Sequence, residues 1–498
     1  MIGLLLVILL AIVTTVRIAK ILWSRRALYK ISKQLNGPRP SLPLIGNALI
    51  FAGDTSLHFE RIRSCINAYP HPMRLWLGPN LLLVFSDVNH VEKILSTTKM
   101  THKSDLYDIM KYYVGNGLIT NSGPQWKHDR RILLPLFNTN FLKTSFDSMQ
   151  EHSVSFVRAF EKFVGKGYSD IHHEVHCLNF DIIGEIICGV KLDTINGSNL
   201  DVLHAMEDIY DNIFSQMVKP WIHSKIAFDL SRYKKERSKI MTTIRHMVMN
   251  TIEKSKERVK ADPEMLDGSD NFVPIIDQIH MLPDVQLNSD HKLLSDHIMT
   301  LFAASEDTTT ITLCTTCMCF GMYPEYQKIA AQEVRRVFGD KPRAVTYEDL
   351  SELKYLEMCI KDCLRLATIA PIILRKCTED FEIDKWTIPQ GANVLLPIFE
   401  IHRDPAQWQV PLHFYPDHFL PENVAKRHPY AYLPFSMGPR GCIGKALALQ
   451  MLKIELANLL QHYQFECDGK FPDIRLRNDI SVRPIDGYKV KVFKRIWD

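Results

Sequence analysis

The chain has 498 residues, 46% of them hydrophobic and 23% charged, a balance that excludes an intrinsically disordered protein. Its 60 basic and 56 acidic residues leave a formal net charge of +4, which gives no case for nucleic acid as a partner. Eleven cysteines, an odd number at scattered positions, do not make a disulfide framework.

The first predicted element is a membrane anchor over residues 1–23. Met1 to Val16 is a run of 16 residues without a charge, and the apolar stretch reaches Trp23 if Arg17 and Lys20 snorkel. Arg25, Arg26, Lys30 and Lys33 follow at once. The positive-inside rule then keeps everything downstream in the cytosol, where reduced cysteines belong. Residues 24–47 read as a basic and proline-rich connector, because three prolines and two glycines between Asn36 and Asn47 make a stiff, extended segment.

Residues 48–498 are predicted to form one domain. Met73–Asp87 has strand character, and residues 85–370 are mostly helical in pattern, for example Asn179–Leu192. Lys254–Asn271 is polar and reads as an exposed loop. Asp296–Tyr323 is apolar nearly all round, so a helix there should run through the core. Its CxxC, within Cys314–Cys319, has no second pair at zinc spacing and reads as core thiols. Strand patterns return after residue 375, with Thr387–Val394 as a turn between two of them. The fold class is therefore mainly α, with a small β-sheet region at its edge.

Near the C-terminus, "PFSMGPRGCIGKA" sets Cys442 among three glycines and an arginine. Two readings compete: an inert thiol in a tight turn, or a thiolate that holds a metal. A haem iron would need a thiolate supported by N–H donors and the start of a helix dipole. The strong helical pattern that follows Gly444 places Cys442 just before such a helix. Gly438, Gly441 and Gly444 let the backbone turn tightly, Arg440 can pair with a propionate, and Phe435 can cover the sulfur.

Phe435, Gly438, Arg440, Cys442 and Gly444 together resemble the haem-binding loop of the cytochrome P-450 superfamily. Trp126 and Arg130 are similar to its W-x-x-x-R helix, and Arg375 stands where the family has another propionate arginine. "LPLIGN", "DIIGEIICG", "IHRDP" and "FLPEN" look like the microsomal family-four, fatty-acid-hydroxylase-like branch of insects and vertebrates. The resemblance implies a single large haem-thiolate domain behind an anchor in the endoplasmic reticulum membrane, facing the cytosol. It implies a monooxygenase that uses O2 and NADPH electrons, delivered by a flavoprotein reductase, on a small lipophilic substrate: a fatty acid, a hormone-like isoprenoid or a xenobiotic. Arg131 and Lys445 are candidate docking charges for that reductase, and membrane lipid is the remaining partner. Asp307 and Thr308 match the acid–threonine pair that relays protons to iron-bound dioxygen.

Three positions depart from the branch. Ala304 replaces a glutamate that can be esterified to a haem methyl, so haem b is expected to be bound non-covalently through Cys442. The structural E-x-x-R pair reads Asp362 to Arg365, and the arginine that completes it is His418. Two rivals stay open: an O2-independent haem-thiolate isomerase or dehydratase, against which Thr308 argues, and a catalytically degenerate haem-binding relative, which the altered triad supports.

Overall fold

A computed structural model describes residues 2–39, 41–42, 45–51, 53, 55–265, 271–284 and 290–497. The chain opens with helix α1, Ile2–Ser24, whose window Leu6–Ser24 has a mean hydropathy of 2.2 and buries none of itself in the protein. That length and composition suffice to cross a membrane. Helix α2, Arg26–Gln34, follows and begins to pack on the domain through Ile31. The connector is drawn onto the sheet rather than left free: Asn36 bridges to Met73, Gly46 bridges to Leu77, and the Asn47 amide donates to the Trp76 carbonyl at 2.7 Å.

Strands β1, Met73–Leu77, and β2, Asn80–Val84, form an antiparallel hairpin. They join two strands from the far end of the chain, β3, Ile373–Lys376, and β4, Asn393–Leu396, in the order β1-β2-β4-β3. β2 and β4 run parallel, so this edge sheet is mixed, and it carries Arg375.

The helical body lies beside it. Its members used below are α3, Gly123–Leu133; α4, His172–Cys188; α5, Leu200–Val218; α6, Arg232–Ala261; α7, His291–Met322; α8, Lys354–Leu366; and α9, Lys445–His462. α7 is the core helix expected from its apolar surround, and it packs along α4. A short hairpin of β5, Leu476–Asn478, and β6, Val482–Pro484, lies near the C-terminus.

Two segments differ from the sequence reading. α4 stops at Cys188, because Gly189 takes a left-handed φ of 64° and its amide closes on Glu185. Lys254–Ala261, read as loop, is helical. Thr251, Ile252 and Ser255 form a buried stripe there, and Arg258 pairs with the buried Asp277 at 2.7 Å. Tertiary contacts thus outweigh a polar composition. Residues 266–270 of the expected loop lie outside the described residues.

Candidate active site around Cys442

The loop before α9 is fixed backbone first. Gly438 has a φ of +70°, and a Cβ there would stand 2.1 Å from the Leu95 carbonyl oxygen, so only glycine fits. The Cys442 amide donates to the Phe435 carbonyl at 2.8 Å, and the Gly441 amide to Gly438 at 2.9 Å. Phe435 itself packs against the main core.

Nine of the eleven cysteines are buried and Cys467 is half-buried; Cys442 alone is exposed. Its sulfur is reachable yet lies within the mass of the protein. Burial pushes the thiol up, opposed by the Gly444 amide and by the charges of Arg130 and Lys445. A Cβ on Gly444 would lie 3.9 Å from the sulfur.

Arg440 braces this loop against the region before α3. It donates to the carbonyls of Thr101, Leu118 and Asn121 at 2.7, 3.1 and 2.6 Å, and to the Ser122 hydroxyl at 3.3 Å. Four of its five N–H groups are therefore engaged within the chain. Its guanidinium lies 3.7 Å from the centre of the buried Trp126 ring, and that of Arg130 lies 5.9 Å from it. Burial lowers the Arg440 pKa to about 9, helped by Arg375 and Arg130.

Arg375 is buried and, among the described residues, donates only to Leu374 and, weakly, to Ser436. Lys103, which the sequence reading missed, places its ammonium 4.4 Å from the Tyr107 ring centre. Burial, then Arg375 and Arg440, hold its pKa well below the ordinary lysine value. Among the described residues none of Lys103, Arg130, Arg375 and Arg440 pairs with a carboxylate. Converging cations without an anion are unfavourable unless an anionic group completes them.

On α7, from His297 to Met322, every residue is buried except Ala304, Ser305 and Thr308, which are partly exposed. Residues 304 and 308 share one helix face, the partly uncovered or cleft side of α7. The Thr308 hydroxyl donates to the Ala304 carbonyl at 2.9 Å. The structure does not place Asp307 on this face. Its carboxylate is buried, ion-paired with Arg483 and hydrogen-bonded by the Ser481 hydroxyl at 2.8 Å, on the loop of the β5–β6 hairpin. Glu306 also turns away from the cleft. It accepts from Tyr210 at 2.5 Å and sits 2.6 Å from His176 Nε2.

Asp362, Arg365 and His418 come together in the interior. Arg365 Nε donates to Asp362 Oδ1 at 2.6 Å and His418 Nδ1 to the same oxygen at 2.8 Å, while Oδ2 accepts from Arg365 at 3.2 Å and from the Tyr415 amide at 2.6 Å. The shorter aspartate thus reaches both partners. The remaining Arg365 donors go to the carbonyls of His402, Pro411 and His413. His402 carries this cluster to the cysteine loop, because its Nε2 accepts from the Leu433 amide at 2.8 Å.

The sequence profile of cytochrome P450 matches residues 36–492. The chain belongs to the cytochrome P450 family. Cytochrome P450 4c21 of Blattella germanica is 32% identical over 459 residues, covering 90% of each chain. Human cytochrome P450 4V2 is 28% identical, covering 96% of this chain and 94% of its own. Cytochrome P450 4c3 of Drosophila melanogaster is 29% identical, at 95% and 91%. The protein is accordingly a P450 monooxygenase, and membership brings a haem with an axial cysteine thiolate, O2, a lipophilic substrate and a redox partner. The residues fit that haem. One reachable thiol sits on a loop turned by glycine, and cations lacking a counter-charge suit its two propionates.

Proposed function

We propose that Cys442 would ligate the haem iron and that Arg130, Arg375, Arg440 and Lys103 would hold the propionates, with Trp126 beside the Arg440 and Arg130 guanidiniums. The observation that carries this reading is the lone exposed thiol on a backbone-locked loop beside cations without anions. Haem supplies the activation of O2 for insertion into a C–H bond. The chain's own residues bind it, shape the cleft and manage protons.

Thr308 presents a hydroxyl on the cleft wall, held by the Ala304 carbonyl and able to pass a proton at Oγ1. Asp307 supplies protons when its pairing with Arg483 opens. Ala304 has no carboxylate and Glu306 is engaged by His176 and Tyr210, which supports a haem without an ester bond. The closed Asp362 cluster supports an active enzyme over a degenerate relative. The substrate is a fatty acid, an isoprenoid or a lipophilic xenobiotic, which the family's lipophilic substrate class supports.

α1 anchors the chain in the endoplasmic reticulum membrane. Arg25, Arg26, Lys30 and Lys33 keep the domain cytosolic. The exposed Arg131 and Lys445 are where an NADPH-dependent flavoprotein reductase docks.

The test is Cys442→Ser. A serine hydroxyl stays protonated at neutral pH and is a poor soft ligand. The variant should lose both the red-shifted absorption band of the reduced, carbon-monoxide-bound state and NADPH-dependent turnover. Retention of both would remove Cys442 from the iron.

A further inference from the structure

On the side of α7 away from the cleft, His172 and His176 occupy one face at the start of α4, four residues apart, and Glu207 approaches them from α5. Glu207 Oε1 lies 3.1 Å from His176 Nδ1 and 3.8 Å from His172 Nδ1, and the three ligand atoms fall within 4.8 Å of one another. Bonds of about 2.0–2.1 Å in a tetrahedron put ligand atoms about 3.3 Å apart, so one edge is in place and His172 has to move inward by a fraction of its side chain's reach. The His176 side chain is 2% exposed, that of His172 20% and that of Glu207 36%. The group is therefore built into the protein with an open edge at Glu207.

The surroundings orient it. Glu306, fully buried, stands 2.6 Å from His176 Nε2 and accepts its proton, while Nδ1 faces Glu207 at 3.1 Å and donates to it, so a metal bound at Nδ1 displaces that proton. A carboxylate behind a ligating imidazole is the usual outer partner of a metal-bound histidine. The His172 ring is held by stacking on Tyr488, with centroids 5.5 Å apart and an interplanar angle of 13°. Arg483 Nη1 lies 3.2 Å from His172 Nε2, so the metal-free ring carries its proton on Nδ1, towards Glu207. Binding at Nδ1 moves that proton to Nε2 and releases this one Arg483 contact. Arg483 keeps its bonds to Asp307 and Asp479.

We propose that His172, His176 and Glu207 form a site for a divalent transition metal of the zinc class, separate from the cysteine loop. Two imidazoles and one carboxylate suit zinc and leave a fourth position for water. Calcium and magnesium, which take oxygen ligands, are poor matches. Because His172 and Asp307 share Arg483, occupancy of this site reaches the acid on the oxygen-side helix through a single guanidinium.

The experiment is equilibrium dialysis of the full-length ferric holoenzyme, without an affinity tag, against zinc buffered at micromolar free concentration, with bound metal counted by atomic emission. Haem-loaded protein keeps Cys442 occupied. Wild type should bind one zinc per chain and melt at a higher temperature with it. Glu207→Gln, at the half-exposed edge, should fold normally and weaken binding at least about 10-fold, and His172→Gln should do the same. Glu306→Gln should weaken it by roughly 10-fold or more through His176. No stoichiometric zinc in wild type would overturn the proposal, and so would unchanged affinity in both Glu207→Gln and His172→Gln.

Discussion

At the residue scale, Lys103 shows what a lone side chain in a polar run conceals. Nothing in its neighbours distinguishes it from a solvated surface lysine. In the fold its ammonium is pressed towards Arg375 and Arg440, and burial and those two charges oppose its own. Such a position is favourable only with an anion beside it. A charge-assisted hydrogen bond is worth about 1.5–3 kcal/mol, which is roughly 10-fold or more in affinity. Lys103→Ala should therefore lower haem per chain and speed haem loss to an apoglobin acceptor by about that factor, while Lys103→Arg should restore both. An unchanged loss rate in Lys103→Ala would take Lys103 out of the propionate site.

At the element scale, α8 meets the cysteine loop through Asp362, Arg365 and His402, and that junction tests whether the altered triad is structural. Asp362 and Arg365 are both fully buried. Removing the carboxylate strands a guanidinium in the interior, which typically costs about 3–5 kcal/mol. Asp362→Ala should express with little bound haem and a lower melting temperature, whereas Asp362→Glu should be tolerated. Equal haem content and melting temperature in Asp362→Ala and the parent would show that the cluster does not support the loop. Much of this junction was legible in the sequence, because Asp362 and Arg365 are three apart on a strongly patterned helix and Cys442 precedes another. His402 was not, since a histidine in "IHRDP" gives no sign that it will span from Arg365 to Leu433, 31 residues further on. The helical course of Lys254–Ala261 was hidden for a related reason. Its stabilising partner, Asp277, lies beyond the segment, and local composition carries no information about it. The sequence places Asp307 on the core helix, but its link to Arg483 spans 176 residues and only the fold shows it.

At the scale of the whole molecule, the network from α8 to the cysteine loop is held by histidines fixed in their neutral form. The Thr368 hydroxyl donates to the Arg365 carbonyl at 2.7 Å and so accepts from His402 Nδ1 at 2.8 Å, while His402 Nε2 accepts from Leu433. A second proton on His402 would break the loop contact. His418 donates through Nδ1 to Asp362, and its buried Nε2 has no partner among the described residues. Burial is the largest cause lowering both histidines, with Arg365 adding to it at each; the Asp362 carboxylate opposes it at His418. A histidine whose folded pKa is lowered binds fewer protons than the unfolded chain below about pH 6.5. The stability it contributes is complete above that value and falls as the pH drops towards the folded pKa, by at most about 1.4 kcal/mol per unit of pH for each group. Other groups push the opposite way, notably the fully buried Glu455, whose carboxyl is raised well above its usual range. The sign is therefore isolated by difference. His418→Gln keeps a donor towards Asp362 and has no titration. Between pH 8 and pH 5 the melting temperature of the wild-type holoenzyme should fall relative to that of His418→Gln, with the gap opening below about pH 6.5. Parallel curves across that range would mean that His418 titrates in the fold as it does in the unfolded chain, and a wild-type curve that rises relative to His418→Gln would mean that it is charged there; either outcome would remove the neutral His418 from the Asp362 cluster.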